Sequence, residues 1–396
     1  MSQATDVVLC GGKRTPFGDF GRSLKDVPLT KLGAHAAKAC LDDLELDPKA
    51  VDHLVWANTL PVDGASLFGG RVVALDIGMA VESCSLNVAR ACGSGTQAIV
   101  TAADQIRTGQ SEIALAGGGE TYSRAAYVAE GLRYGAKRGP ATMTDTLDWC
   151  YRDPFDGQFM GETAENLAEE FQYGRADMDD WGYMSQKRAG AAIASGFLAR
   201  QIAPIDVPDG KARKRFAIDE FPRPDVTREK LGTLKPAFRA GGKVTAGNSS
   251  GVTDGAAFVL VAQRRSAERE GLRPAARFVD YAVVGVPPRI MGAGPVPAIR
   301  KLLDRTGLRV ADIDYFEINE AFAVVNLHAE KQLGIPRDLT NLYGGGISIG
   351  HPPGATGVRM SITAMHHLEA SGGRRAIVSM CLGAGQGMAM LIEREG

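Results

Sequence analysis

Four short stretches of this sequence place reactive side chains where glycine-rich turns meet apolar segments. In NVARACGSGTQAI, residues 87–99, Cys92 stands just before a Gly-Ser-Gly turn that opens a helix. Backbone N–H groups and the positive end of the helix dipole would face its sulfur, so the expected effect is a thiol acidified below its reference pKa of about 8.5. A nucleophile is one reading of this motif, and a small buried structural thiol is the other. In SIGHPPGATG, 348–357, His351 sits among glycines and two prolines, a stretch too rigid and small for a core histidine. Its imidazole is a candidate general base for a thiol. Cys381, in MCLGAGQGM (380–388), follows a buried strand and precedes a glycine turn whose free N–H groups suit an oxyanion. Asn319 and Glu320, in INEAFA (318–323), end a strand and start a helix, placing polar groups at the carboxyl edge of a sheet, where ligands bind in open α/β folds.

The elements that must hold these groups alternate between short apolar strands and amphipathic helices, which predicts an α/β fold with a mainly parallel sheet. Strands are expected at 6–9, 53–57, 113–116 and 258–262, and again at 277–284, 315–318, 376–380 and 388–392. Between the two groups, 121–251 breaks into loops and short helices. It carries seven prolines between 140 and 236 and a basic run of Lys211, Arg213, Lys214 and Arg215, readable as a phosphate contact or as a solvated face. The flanking parts echo each other. AVDHLVWAN (50–58) matches DIDYFEIN (312–319). The helix opened at Cys92–Gly95 and ended by Gly109 matches one opened at Gly350–Gly357 and ended by Gly372 and Gly373. Two copies of one α/β unit are implied.

A chain of 396 residues, 44% apolar and 23% charged, has material for two or three domains. Its net charge of −1 supplies no global field for nucleic acid or an anionic membrane. No apolar run approaches the roughly 20 residues that span a bilayer. The opening residues lack a basic leader and the closing EREG lacks a peroxisomal tripeptide, so a cytoplasmic location is expected. The six cysteines show no paired spacing of metal or disulfide frameworks, and Cys10, Cys40, Cys84 and Cys150 read as small buried hydrophobes. No His, Cys or carboxylate cluster has ligand spacing, so no metal site is expected.

Taken together, the four stretches resemble the signature set of the thiolase family. Its nucleophile motif, NEAFA box, GHPxGA(S/T)G box and CxGxGQG box follow in the family's order, and further matches run through GGGETYS (117–123), FMGETAENLA (159–168), VTAGNSSGVTDGAA (244–257) and MGAGPVPA (291–298). The resemblance covers essentially the whole chain. It implies two duplicated α/β halves in a five-layer αβαβα arrangement with an inserted loop domain. The halves would be 1–120 plus 252–273 and 274–396, and 121–251 would be the insert, serving coenzyme A binding and tetramerisation.

The resemblance also implies roles. Cys92 would be acylated, His351 would activate its sulfur, and Cys381 would move the α-proton of the second acyl-CoA. One oxyanion hole would be His351 with a water held by Asn319, the other the backbone N–H groups of Cys92 and Gly383. Ser250 matches a serine that meets the pantetheine arm; Ala246, Met160, Phe322 and Met291 match positions lining the thioester tunnel; Arg223 resembles a residue near the nucleotide. Coenzyme A is then substrate or product, no cofactor is needed, and a homotetramer is expected, with a dimer as fallback. The chain departs from the family at Gly119 and Tyr122, where most members have methionine, at Pro353, at Ala384 in place of glycine, and at Phe159, often histidine. These adjoin the acyl pocket and leave chain length and branching preference open; reaction direction is open because cleavage and condensation use the same groups. A 3-oxoacyl synthase acting on acyl carrier protein would lack the NEAFA and Cys381 boxes. A carrier without catalysis would not need all four reactive side-chain types.

Overall fold

The computed structural model describes residues 6–395. Nine strands form one ladder: β1 (Val7–Arg14), β2 (His53–Ala57), β3 (Cys84–Val88), β4 (Ile113–Glu120), β5 (Thr253–Gln263), β6 (Ala276–Gly285), β7 (Tyr315–Ile318), β8 (Arg375–Leu382) and β9 (Gln386–Arg394). Their order is β7-β8-β9-β6-β1-β5-β4-β2-β3. Read outward from the centre, the first half runs β1-β5-β4-β2 and the second β6-β9-β8-β7, the same path traced twice. In each, the two inner pairings are antiparallel and the outer one parallel. The halves join where Val8 pairs with Arg277 and Leu9 with Ala276.

The ladder corrects the expectation of a mainly parallel sheet: three neighbouring pairs are parallel (β2/β3, β2/β4, β7/β8) and five antiparallel. The reason is connection length. A tight turn joins β8 to β9 and can only make them antiparallel, while the long 121–251 excursion returns β5 between β1 and β4, antiparallel to both. The parallel pairs are those separated by a crossover helix.

The core comprises three apolar layers, because the strands are buried on both faces. Along β5, Ala257, Val259 and Val261 enter one cluster while Phe258, Leu260 and Ala262 enter another, the period-two alternation of a doubly covered strand. The central cluster encloses α2 (Ser94–Arg107) and α7 (Pro353–Ser371), the two echoed helices, which pack on each other and on both halves of the sheet. Outside the first half lies α1 (Leu29–Asp43). Outside the second lie α5 (Pro295–Thr306) and α6 (Ala323–Leu333). Helix, sheet, paired helices, sheet, helix is the five-layer order. Each large apolar side chain fully buried between layers contributes about 1.5–3 kcal/mol.

Within 121–251 the elements are longer than expected. It holds α3 (Met160–Glu170) and α4 (Arg175–Ala194), the latter with 20 residues. The basic run lies on the exposed side of a hairpin, 205–209 with 212–216, whose Ile205, Val207 and Phe216 pack into the α1-side core. It thus belongs to a different layer from Cys92, and reads as a solvated face.

Candidate active site

Cys92 and His351 stand at the N-termini of α2 and α7, and glycines let these helix ends meet. A Cβ added to Gly95 would lie 3.0 Å from both the Gly354 carbonyl and the Gly357 nitrogen, and one added to Gly357 would collide with the Thr96 backbone nitrogen. Only hydrogen atoms fit between the two first turns, so the GATG and GSG motifs fix how closely the thiol and imidazole elements approach.

The imidazole's protonation follows from its partners. The Thr356 hydroxyl donates to the Pro352 carbonyl at 2.9 Å, one turn back in α7, and lies 2.7 Å from His351 Nδ1. With its one proton committed, Thr356 accepts from Nδ1–H, which leaves the lone pair on Nε2. Asn319 Nδ2 donates to that Nε2 at 3.3 Å, while Asn319 Oδ1 is buried without a protein partner. Burial, aided by the Arg359 guanidinium, pushes the imidazole pKa down to about 3. His351 is therefore neutral across the physiological range, a base rather than a standing cation.

Around Cys92 the structure corrects the sequence expectation. Burial raises the thiol's pKa above its ordinary value, and the N–H groups of Gly383 and of Cys92 itself, which reach the sulfur, only partly offset this. A nearby carboxylate, Glu120, pushes it further up. Desolvation outweighs the helix end because the dipole acts as only about half a charge. Cys381, the penultimate residue of β8, is fully buried, and burial together with nearby Cys92 holds its pKa far above the thiol range. Two neutral thiols beside a neutral imidazole make a resting site with no thiolate–imidazolium pair.

Both residues that present N–H groups to Cys92 Sγ adjoin strained backbone. Ala91, before Cys92, has φ of 43°, and Ala384, after Gly383, has φ of 63°. Left-handed alanines cost roughly 1–2 kcal/mol each, and such strain clusters at sites whose geometry matters. Ala384 is the residue where the family pattern has glycine.

The other predicted positions divide. Met160, first residue of α3, brings its sulfur within 3.7 Å of a Cβ built on Gly383, against the Cys92 turn. The 244–251 segment runs along the NEAFA loop and the His351 turn: Ser250 N donates to Ala321 O at 2.9 Å, Ser249 bridges Phe322, and His351 N donates to Gly251 O at 3.2 Å. Phe322 stands edge-on to Phe238 at 6.2 Å, and Met291 is buried in the same cluster, with Met160 packed against it. Ala246 is exposed. Arg223 is also exposed, and its guanidinium is held by the carbonyls of Glu220, Phe221 and Pro222 and by Asp19 at 3.4 Å. The structure does not bring Arg223 to the sulfur cluster. Glu320 anchors the insert, accepting from Trp181 Nε1 (3.0 Å) and Ser185 Oγ (2.6 Å) of α4 and from Asn341 Nδ2 (3.1 Å).

Several groups near Cys92 were not singled out in the sequence. Cys150 and Tyr151, on the short helix Thr146–Tyr151, lie close enough for charge on Cys92 to raise their pKa values. Tyr122, marked in the sequence as a departure from the family pattern, packs on Tyr151 with ring centroids 5.8 Å apart. Cys150 is thus no plain core residue, and Cys84, on edge strand β3, is exposed rather than buried. Thr356 and Glu120 were missed as well; the signals that could have found them are a hydroxyl five residues after His351 and a carboxylate closing the GGG strand. Among the described residues, no group of three or more His, Cys, Asp or Glu could hold a metal, and no helix is long and apolar enough to cross a membrane.

Comparison with known proteins bears on the whole chain. Residues 7–265 match the thiolase N-terminal domain and 272–394 the thiolase C-terminal domain. The chain is 43% identical to beta-ketothiolase BktB of Cupriavidus necator, over 98% of this chain and 99% of that one. It is 40% identical to acetyl-CoA acetyltransferase of Escherichia coli, over 98% of each. The crystal structure of human mitochondrial 3-ketoacyl-CoA thiolase in complex with CoA superposes with a TM-score of 0.96 at 38% identity, covering 100% of this chain and 99% of that one. Since both halves, the insert and the four reactive motifs fall within these matches, the chain belongs to the thiolase family and is an acyltransferase.

Proposed function

We propose that the protein interconverts a 3-oxoacyl-CoA plus coenzyme A with acetyl-CoA plus a shortened acyl-CoA, through an acyl thioester on Cys92. In the cleavage direction, His351 Nε2 takes the Cys92 proton and the sulfur attacks the 3-carbonyl carbon. The oxyanion forms against the N–H groups of Cys92 and Gly383. The bond between carbons 2 and 3 then breaks, its electron pair leaving on acetyl-CoA as an enolate, and Cys381 donates the proton that completes acetyl-CoA. Coenzyme A thiol next gives its proton to the Cys381 thiolate and attacks the acyl-cysteine; the shortened acyl-CoA leaves as the Cys92–acyl bond breaks, and the Cys92 sulfur takes back the proton held on His351. His351, protonated at Nε2 after the first step, and a water held by Asn319 would stabilise the enolate oxygen. Losing one such donor costs about 10² to 10³ in turnover. Condensation is the reverse sequence.

The observation that carries this reading is the Cys92 sulfur lying against two backbone N–H groups with a second thiol, Cys381, beside it. Its test is thiolysis of 3-oxoacyl-CoAs from four carbons upward, with Cys92→Ala and Cys381→Ala alongside. The expected result is loss of turnover in both variants. Full activity in either would refute it.

In this reading 121–251 forms the coenzyme A and assembly insert, and Ser250, Ala246, Met160, Phe322 and Met291 line the thioester arm. The Arg223 guanidinium would have to exchange its loop carbonyls for a nucleotide phosphate. Coenzyme A is substrate and product, with no further cofactor. We assign a homotetramer, with a dimer as fallback. Two features support assembly: edge strand β3 leaves Leu86 exposed beside Val81, Leu67 and Phe68, and Tyr127, Tyr134, Trp149 and Phe155 are exposed along the insert. A monomer at micromolar concentration in light scattering would overturn this. A cytoplasmic location belongs to the same proposal and is tested by cell fractionation.

A further inference from the structure

The reaction just described leaves Glu120 without a part, although it is the most elaborately held carboxylate near Cys92. It closes β4 and is fully buried. Its oxygens accept from Asn58 Nδ2 at 2.7 Å, Thr59 N at 2.6 Å, Thr59 Oγ1 at 2.7 Å and Leu60 N at 3.4 Å, all in the turn that follows β2. Gly354 N–H, in the first turn of α7, donates to it as well. These partners are all donors, the set an ionised carboxylate requires, and the last of them belongs to a helix N-terminus, where a negative charge is favoured.

Gly354 has no freedom to sit elsewhere. A Cβ there would lie 2.8 Å from the Gly119 nitrogen, so the start of α7 is seated directly on the end of β4, while its carbonyl faces Gly95 of α2. Three segments therefore converge on Glu120: the turn after β2, the start of α7 three residues after His351, and, through Gly354, the start of α2 three residues after Cys92.

We propose that Glu120 is a positioning residue for the Cys92–His351 couple, its carboxylate clamping the start of α7 against the strand ends. This rests on the assignment of Cys92 as nucleophile and His351 as base. The ionisable groups coupled to Cys92 are Cys381 on β8, Cys150 and Tyr151 on the 146–151 helix and Glu120 on β4, while His351 stands before α7, whose first turn meets that of α2. Glu120 is the only carboxylate in that set. It raises the pKa values of Cys92 and Cys150, and burial lifts its own to about 7 against five donors.

The test is Glu120→Gln in the full-length protein, read by steady-state thiolysis and by the pH dependence of Cys92 alkylation with iodoacetamide, Cys92→Ala supplying the background. Gln keeps the shape, removes the charge and turns an N–H₂ toward donors. The expected result is kcat lower by about 10- to 100-fold, the scale of a small misplacement of reacting groups, with KM changed less than threefold. The midpoint of alkylation should move to lower pH, and Glu120→Asp, which keeps the charge, should leave it near the wild-type value, whereas a loosening that hydrates Cys92 would lower it in both variants. A folded Glu120→Gln protein with unchanged kcat and an unchanged alkylation profile overturns the proposal. Should Glu120→Gln fail to fold, Thr59→Val decides. It deletes one donor, and kcat should fall about 3- to 10-fold with the alkylation midpoint displaced in the same direction; no change in either overturns the proposal. Activity surviving in Cys92→Ala would instead refute the nucleophile assignment, a separate outcome.

Discussion

Replacing Thr356 with valine tests whether one hydroxyl sets the state of the catalytic base. Thr356 is fully buried, and its Oγ1 lies 2.7 Å from His351 Nδ1 while donating to Pro352 O at 2.9 Å. Valine preserves the shape and removes the acceptor, so in the productive tautomer a buried Nδ1–H has no partner. That costs about 1–3 kcal/mol. The alternative tautomer, with the proton on Nε2, escapes the penalty but cannot accept a proton from Cys92. Productive imidazole then becomes the minor form, and the expected fall in the rate of Cys92 acylation is about 5- to 150-fold. Stopped-flow acylation by a 3-oxoacyl-CoA measures this step apart from later ones. Thr356→Ser, which keeps the hydroxyl, should acylate near the wild-type rate. If Thr356→Val acylates within twofold of wild type while folded, the hydroxyl does not fix the tautomer and the assignment of Nε2 as the base loses its support.

Three further outcomes follow from the same geometry. Ala384→Gly should raise unfolding free energy by about 1 kcal/mol, read from the urea midpoint, because φ of 63° strains alanine and not glycine; an unchanged or lower midpoint would mean the turn is not strained. Gly357→Ala should cost at least about 1–3 kcal/mol and abolish turnover, since the new methyl meets the Thr96 backbone rather than a side chain that can move; wild-type stability in urea would contradict the close helix contact. His351, lowered from 6.5 to about 3, contributes stability that is present above pH 6.5 and lost as pH falls toward 3, about 5 kcal/mol at full extent. His328 and His366 add to this slope and the raised carboxylates Glu120 and Asp254 oppose it, so the contribution is isolated as the wild-type minus His351→Gln difference in urea unfolding between pH 7 and 4.

What the sequence revealed and what it hid divide along a physical line. Strands β2 and β7 were legible to the residue, and α2 and α7 to within a turn, because buried strands are continuous apolar runs and the helices are bounded by glycines. Strand β3, CSLNV, was not, since it is an edge strand whose residues are mostly exposed and carry no apolar pattern. Strand direction was also hidden, because a βαβ unit and a hairpin returning from a long insertion leave the same local signature. Cys92, His351, Asn319 and Cys381 stood out because glycine-rich turns surround them. Glu120 and Thr356 did not, because their importance lies in partners 60 residues away or one helical turn back. The acidity of Cys92 was misjudged for the same reason. A helix end is visible in sequence, whereas the desolvation that outweighs it is produced by elements distant in the chain.

The duplication explains why the site lies where it does. In each half the second strand ends in asparagine, Asn58 after β2 and Asn319 after β7, beside the parallel strand that closes with Glu120 or leads through Cys381 to Leu382. One unit, built twice, therefore presents the same two strand ends on either side of the α2/α7 contact, but with different chemistry. In the second half the asparagine meets the imidazole. In the first it donates to a carboxylate that accepts from the helix carrying that imidazole. In the proposed mechanism the first half thus supplies the nucleophile and the clamp, and the second supplies the base, the second thiol and the asparagine that holds the water at the enolate oxygen. A site divided this way cannot form in either half alone. Its precision depends on the glycine contact between α2 and α7, where both halves must be correctly folded at once.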